Sequence, residues 1–133
     1  MAGLDTNVLV RWLVADDDAQ VARVQALLES GLTAGQTYFV PITVLLELEW
    51  VLRSRYRMDK AAILEAFVGL LESQELEIQA EPAVEQALHL YRQGLADFAD
   101  CLHAGLCAAA GRAPLLTFDT QAARLPQVQL IGG

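Results

Sequence analysis

Four carboxylates, Asp5, Glu47, Asp100 and Asp119, each sit where an apolar run makes a charged side chain expensive. Asp5 closes the opening segment before Thr6-Asn7-Val8-Leu9-Val10, and Glu47 interrupts Val44-Leu45-Leu46 and Leu48. Asp100 lies within Asp97-Phe98-Ala99-Asp100-Cys101-Leu102, and Asp119 ends Pro114-Leu115-Leu116-Thr117-Phe118. Burying an ionised carboxylate is unfavourable unless something positive compensates it. The chain holds one lysine, Lys60, and no arginine three or four residues from Glu47. A bound divalent cation is therefore the economical compensation.

The order of elements around these acids alternates. A short strand around Ala2-Gly3-Leu4-Asp5 is expected to lead into a helix through Val8 to Leu13. The acids Asp16-Asp17-Asp18 suit the start of a second helix, running through Val21, Val24, Leu27 and Leu28 to Gly31. Thr37-Tyr38-Phe39-Val40, β-branched and aromatic, reads as a strand stopped by Pro41. Helices follow over about Ile42 to Arg55 and Asp59 to Ser73, the latter with Ile63, Leu64, Phe67, Leu70 and Leu71 on one face. Glu75 to Gln79 alternates as a half-exposed strand does, and Pro82 opens a helix through Val84, Leu88 and Tyr91. Asp97 starts the last helix, which ends at Gly111. Pro114 to Phe118 reads as a buried strand and Val128 to Ile131 as a final one. Strands alternating with helices indicate an α/β fold with a mainly parallel sheet, in which ligands bind beyond the carboxyl ends of strands. Asp5 and Asp119 both end a predicted strand and would share that rim.

At 133 residues the chain is expected to be one domain. Its formal charge of −8 argues against nonspecific coating of nucleic acid, which draws its affinity from many Lys and Arg contacts, but leaves open an enzyme acting on nucleic acid. An apolar fraction of 54% suggests a partner or self-association. Cys101 and Cys107 read as reduced thiols without the spacing of a zinc site. No cleavable leader and no membrane-spanning run is present, so the simplest expectation is a cytoplasmic protein with no membrane partner.

Helical spacing separates the candidate acids from their neighbours. Glu47 faces Thr43, Val44, Trp50 and Val51, none of them cationic, whereas Glu49 has Arg53 four residues on as an ordinary surface partner. Glu47 is thus the functional candidate and Glu49 the structural one. Asp97 is placed to cap its helix, with Asp100 at its third position, where the helix dipole favours negative charge; Asp97 could also serve the site. Thr6, Asn7 and Thr117 border the acids and could orient a carboxylate or a coordinated water, although a turn role suits Asn7 equally. The dense positive run Arg53-Ser54-Arg55-Tyr56-Arg57, with Arg11 near Asp5, offers guanidinium forks for phosphate and a ring for stacking; a solvated helix end explains the same run.

The stretches Leu4-Asp5-Thr6-Asn7-Val8-Leu9-Val10-Arg11, Leu46-Glu47-Leu48-Glu49-Trp50-Val51-Leu52, Asp97-Phe98-Ala99-Asp100-Cys101-Leu102-His103-Ala104 and Leu116-Thr117-Phe118-Asp119 together resemble PIN domains, specifically VapC-type toxins of toxin–antitoxin pairs. The resemblance spans essentially the whole chain. It implies a single nuclease domain over residues 1–133, a three-layer α/β/α sandwich with a parallel central sheet, an Mg²⁺-dependent endoribonuclease in which Mn²⁺ can substitute, homodimerisation, and a VapB-type antitoxin. Asp5, Glu47 and Asp100 match the family's three central acids, Asp119 a more variable fourth, and Asp97 an additional acid of some members.

The chemistry of the residues agrees. Hard oxygen ligands suit Mg²⁺ or Mn²⁺, and such an ion can activate a water for in-line attack on an RNA phosphodiester. A receiver-type or haloacid-type phosphotransfer domain would need a late lysine, yet Lys60 lies mid-chain. A noncatalytic interaction module with a vestigial acidic pocket is the other reading; it leaves Glu47 without a reason.

Overall fold

A computed structural model describes residues 2–132. They form two compact units that divide between Gln79 and Ala80. The first comprises α1 (Thr6–Val14), α2 (Asp18–Thr33), β1 (Tyr38–Val40), α3 (Ile42–Ser54), α4 (Lys60–Glu72) and β2 (Leu76–Ile78). Side-chain oxygens take up the unsatisfied N–H groups at several helix starts. Asp17 accepts from the backbone of Gln20 at 3.1 Å, and Asp59 from that of Ala62 at 2.9 Å.

β1 and β2 pair in parallel, with Tyr38 opposite Leu76 and Val40 opposite Ile78. In β2, Leu76 and Ile78 are buried while Glu77 faces solvent, the alternation expected of that segment. The opening segment is shorter than its apolar character suggests. Gly3 makes a single parallel bridge to Phe39, in which Phe39 N–H donates to Ala2 and Leu4 N–H donates to Phe39, each at 2.9 Å. That bridge ties the chain to β1 immediately before Asp5. Leu9, Val40, Leu45, Leu48, Leu52, Ile63 and Phe67 are among the buried side chains of this unit.

The second unit holds α5 (Glu81–Gln93), α6 (Phe98–Ala109), β3 (Leu115–Thr117), a 3-10 turn (Ala122–Arg124) and β4 (Val128–Leu130). Pro82 lies in the first turn of α5, where its missing N–H costs nothing. β3 and β4 are parallel neighbours, Leu115 opposite Val128 and Thr117 opposite Leu130. Parallel pairs and intervening helices in both units make this an α/β fold. β3 departs from the buried strand its sequence suggests: Leu116 is 57% exposed and Phe118 79%. A short apolar run does not reveal whether one or both faces are covered. Cys101 is buried and Cys107 half-buried, and neither is in a disulfide among the described residues.

The α5–α6 packing depends on close approach. Tyr91 and Phe98 meet edge to face with ring centroids 5.5 Å apart. A Cβ added at Gly105 would lie 2.7 Å from the carbonyl oxygen of Ala83, a backbone atom that cannot swing away. We expect Gly105→Ala to destabilise the protein by about 1–3 kcal/mol, as overpacking does, in urea-unfolding midpoints.

Candidate active site

The carboxylates of interest are positioned by helix starts. Asp5 caps α1, its Oδ1 accepting from the backbone N–H of Val8 at 3.3 Å. The following residue, Thr6, is 6% exposed, and its hydroxyl donates a hydrogen bond to Oε1 of Glu47 on α3. This cross-link brings residues 41 positions apart together. The result is a pocket of about 270 Å³ lined by Asp5, Thr6, Asn7, Glu47, Trp50, Val51 and Arg55. Carboxylate, hydroxyl and amide oxygens thus share a concavity with one guanidinium.

A second acidic cluster lies in the other unit. Asp97 caps α6, accepting from the N–H of Asp100 at 2.9 Å, which puts Asp100 at the third helical position as the sequence suggests. Asp119 Oδ1 accepts from Gln121 N–H at 2.8 Å and Ala122 N–H at 3.4 Å, so its carboxylate starts the 3-10 turn. Thr117 reaches Asp119 through the backbone, its hydroxyl accepting from the Asp119 N–H at 3.0 Å. Partial burial, then the charge of Asp97 and a hydrogen bond with it, then the charge of Asp119, push the pKa of Asp100 up; the neighbouring His103 pulls the other way.

Two expectations are corrected. The acids do not sit in an apolar interior: Asp5, Glu47 and Asp119 are exposed and Asp100 is half-buried. Backbone N–H groups and the positive ends of helices hold Asp5, Asp97 and Asp119, so burial alone does not call for a cation. The buried carboxylate is Glu49, only 4% exposed, whose Oε2 receives Arg53 Nε at 2.9 Å. Glu49 was expected at the surface. It belongs instead to the inner stripe of α3, Leu45, Leu48, Glu49 and Leu52, whose spacing of three and four is itself a core signal, while Glu47 lies outside it.

The basic run divides likewise. Arg55 lines the acidic pocket, Arg53 turns to Glu49, and Arg57 is exposed in a left-handed backbone conformation with φ of 52°. Tyr56 is half-buried, its hydroxyl 3.4 Å from Asp16 and 3.5 Å from Arg11, whose guanidinium pairs with Asp16 at 3.3 Å. Sequence reasoning missed Trp50, 52% exposed on the pocket's rim, although its place one helical turn from Glu47 was the available signal.

The donors fit a hard divalent cation in kind. Within either unit, no three His, Cys, Asp or Glu side chains among the described residues converge into a ready-made cage. Mg²⁺ seldom uses one: it binds through one or two carboxylates, retains waters and completes its shell with substrate phosphate.

A model of the PIN domain matches residues 3–128, and the chain belongs to that family. Among its relatives is a VapC ribonuclease from Aquifex aeolicus (strain VF5), 28% identical over 99 residues that make up 74% of this chain and 73% of that protein. No helix among the described residues is long and apolar enough to cross a membrane.

Two outcomes follow from the electrostatics. Glu49→Gln weakens a buried charge-assisted pair and should cost about 1–3 kcal/mol in denaturant unfolding, whereas Glu47→Gln, exposed and still able to accept from Thr6, should stay within about 0.5 kcal/mol of wild type. Because the folded state raises the pKa of Asp100, ionising that group opposes folding as pH rises from its unfolded towards its folded pKa. Asp100→Asn should therefore melt higher than the metal-free wild type at neutral pH. The gain should close as pH falls below about 4, where the carboxyl is protonated in both states.

Proposed function

We propose that this protein is a metal-dependent endoribonuclease of the VapC type, with Asp5, Glu47, Asp100 and Asp119 as its catalytic carboxylates. The observation that carries the reading is the pocket in which Asp5 and Glu47, the latter held by Thr6, face Arg55 within a PIN domain. The match to a relative named as a VapC ribonuclease supports RNA as the substrate. The family match extends across both units, which supports reading the chain as one nuclease domain.

In this reading Asp5, Glu47, Asp100 and Asp119 would hold Mg²⁺ or Mn²⁺, with Asp97 as an accessory acid. A divalent cation, when bound, supplies Lewis-acid stabilisation of the charge that develops on a phosphodiester. The chain's own residues supply the rest. The Thr6 hydroxyl holds Glu47 in one orientation, and Asn7 offers an amide for an oxygen of the substrate or a water. Thr117 steadies the backbone of Asp119. Arg55 presents its fork to the phosphate, with Arg11, Arg53 and Arg57 as further candidates for contact along the RNA. Water forms the new bond to phosphorus, the bond to the 3′ oxygen breaks, and a carboxylate takes the proton that water gives up. The 3′ oxygen is protonated on leaving, so the products carry a 5′-phosphate and a 3′-hydroxyl. Exposed Trp50, Leu116 and Phe118 supply apolar surface for protein contacts. A VapB-type antitoxin and a second copy of the chain are the partners we propose, in the cytoplasm.

Purified protein should cleave single-stranded RNA with Mg²⁺ or Mn²⁺ and lose that activity in excess EDTA. Asp5→Asn and Glu47→Gln should each lower kcat by at least about a hundredfold, the scale of losing one proton-transfer or electrostatic group. Mn²⁺ should raise the melting temperature of wild type by mass action but not that of Asp100→Asn. Cleavage that persists in EDTA would overturn the metal mechanism, cleavage that persists in Glu47→Gln would overturn the role of Glu47, and no cleavage by wild type under any of these conditions would leave the interaction-module reading in its place.

A further inference from the structure

Beside the acidic pocket, α1 and α2 enclose a groove of about 330 Å³ lined by Asn7, Val8, Arg11, Gln20, Arg23 and Val24. Its polar lining is two guanidinium groups and two amides, with no carboxylate. That composition is unusual in a chain with 17 Asp and Glu against 9 Lys and Arg. Arg11 is held in place from outside the lining, 3.3 Å from Asp16 and 3.5 Å from the Tyr56 hydroxyl. Arg23 is exposed on α2 and makes no ion pair among the described residues. Asn7 lines both the groove and the acidic pocket, so the two concavities adjoin. Arg11 follows Asn7 by one helical turn, about 6 Å along α1.

We propose that this groove receives a backbone phosphate of the RNA, adjacent to the nucleotide whose phosphodiester lies at the acids, and that Arg23 is its principal positioning residue. The inference rests on the nuclease reading above and adds to it a residue and a docking track. Guanidinium forks and amide N–H groups match the oxygens of a phosphodiester, and a strand leaving the acidic pocket past Asn7 meets Arg11 and Arg23 next. Contacts of this kind fix register and affinity without reading bases. An acidic protein segment could present similar oxygens, but adjacency to the acidic pocket favours RNA.

The test is Mn²⁺-dependent cleavage of short single-stranded RNAs of several sequences by wild type, Arg23→Gln and Arg23→Lys over a range of NaCl concentrations. Arg92→Gln, a substitution at an exposed arginine of α5, serves as the control. For Arg23→Gln we expect a higher KM at unchanged kcat, equally for every sequence, because a contact common to ground and transition states is lost. The slope of log(1/KM) against log salt should become shallower by about 0.7, the share of one phosphate contact on a single strand. Arg23→Lys should keep the wild-type slope, and Arg92→Gln should match wild type throughout. Wild-type KM and slope in Arg23→Gln would overturn the groove while leaving the nuclease reading intact. No cleavage by wild type in Mn²⁺ would remove both. Arg23→Gln that loses binding to a polyglutamate peptide but keeps the wild-type KM for RNA would make the groove a protein-docking surface instead.

Discussion

The unsatisfied N–H groups at helix starts organise this molecule. Each α-helix opens with donors that its own carbonyls cannot reach, and here aspartates supply acceptors at the heads of α1, α2, α4 and α6 and of the 3-10 turn. The same interaction that starts a helix also fixes a carboxylate at the helix's positive end, where its charge is tolerated. Asp5, Asp97 and Asp119 are therefore structural acceptors and candidate ligands at once. In each, Oδ1 is engaged with backbone N–H groups.

Against this background Thr6 has a particular importance. It is a buried polar residue whose hydroxyl binds Glu47, an exposed acid on a different helix. Without that bond Glu47 would be a mobile surface carboxylate; with it, the side chain is committed to the pocket beside Asp5. Glu49 shows the opposite arrangement two residues away. Its charge is turned inward and neutralised by Arg53 on its own helix, which leaves no capacity for a cation. Two glutamates of one helix thus divide into a site and a structural pair by their angle around the axis.

In the metal-free chain partial burial, and after it like-charge repulsion from Asp97 and Asp119, raise the proton affinity of Asp100. Such repulsion is relieved by a proton, a cation or a mutation. A PIN domain that uses a divalent ion gains from this arrangement, because the ion's binding energy includes release of the repulsion. The groove of Arg11 and Arg23 is the complementary device. An acidic chain that handles a polyanion needs its few cations concentrated along the substrate's path.

Much of this was legible in the linear chain. Capping residues, Pro41 and Pro82 as boundaries and the alternation in β2 marked the elements, because caps and periodicity act over a few residues. The four motifs around Asp5, Glu47, Asp100 and Asp119 likewise identified the family, since spacing along the chain survives without coordinates. What the linear order could not decide is which way each side chain turns. Glu49 facing inward, Leu116 and Phe118 facing outward, Arg55 rather than Arg53 joining the pocket, and Arg23 meeting Arg11 across two helices all depend on how helices and strands are rotated against their neighbours. Those rotations follow from the summed packing of residues far apart in sequence, and only the tertiary structure contains that sum.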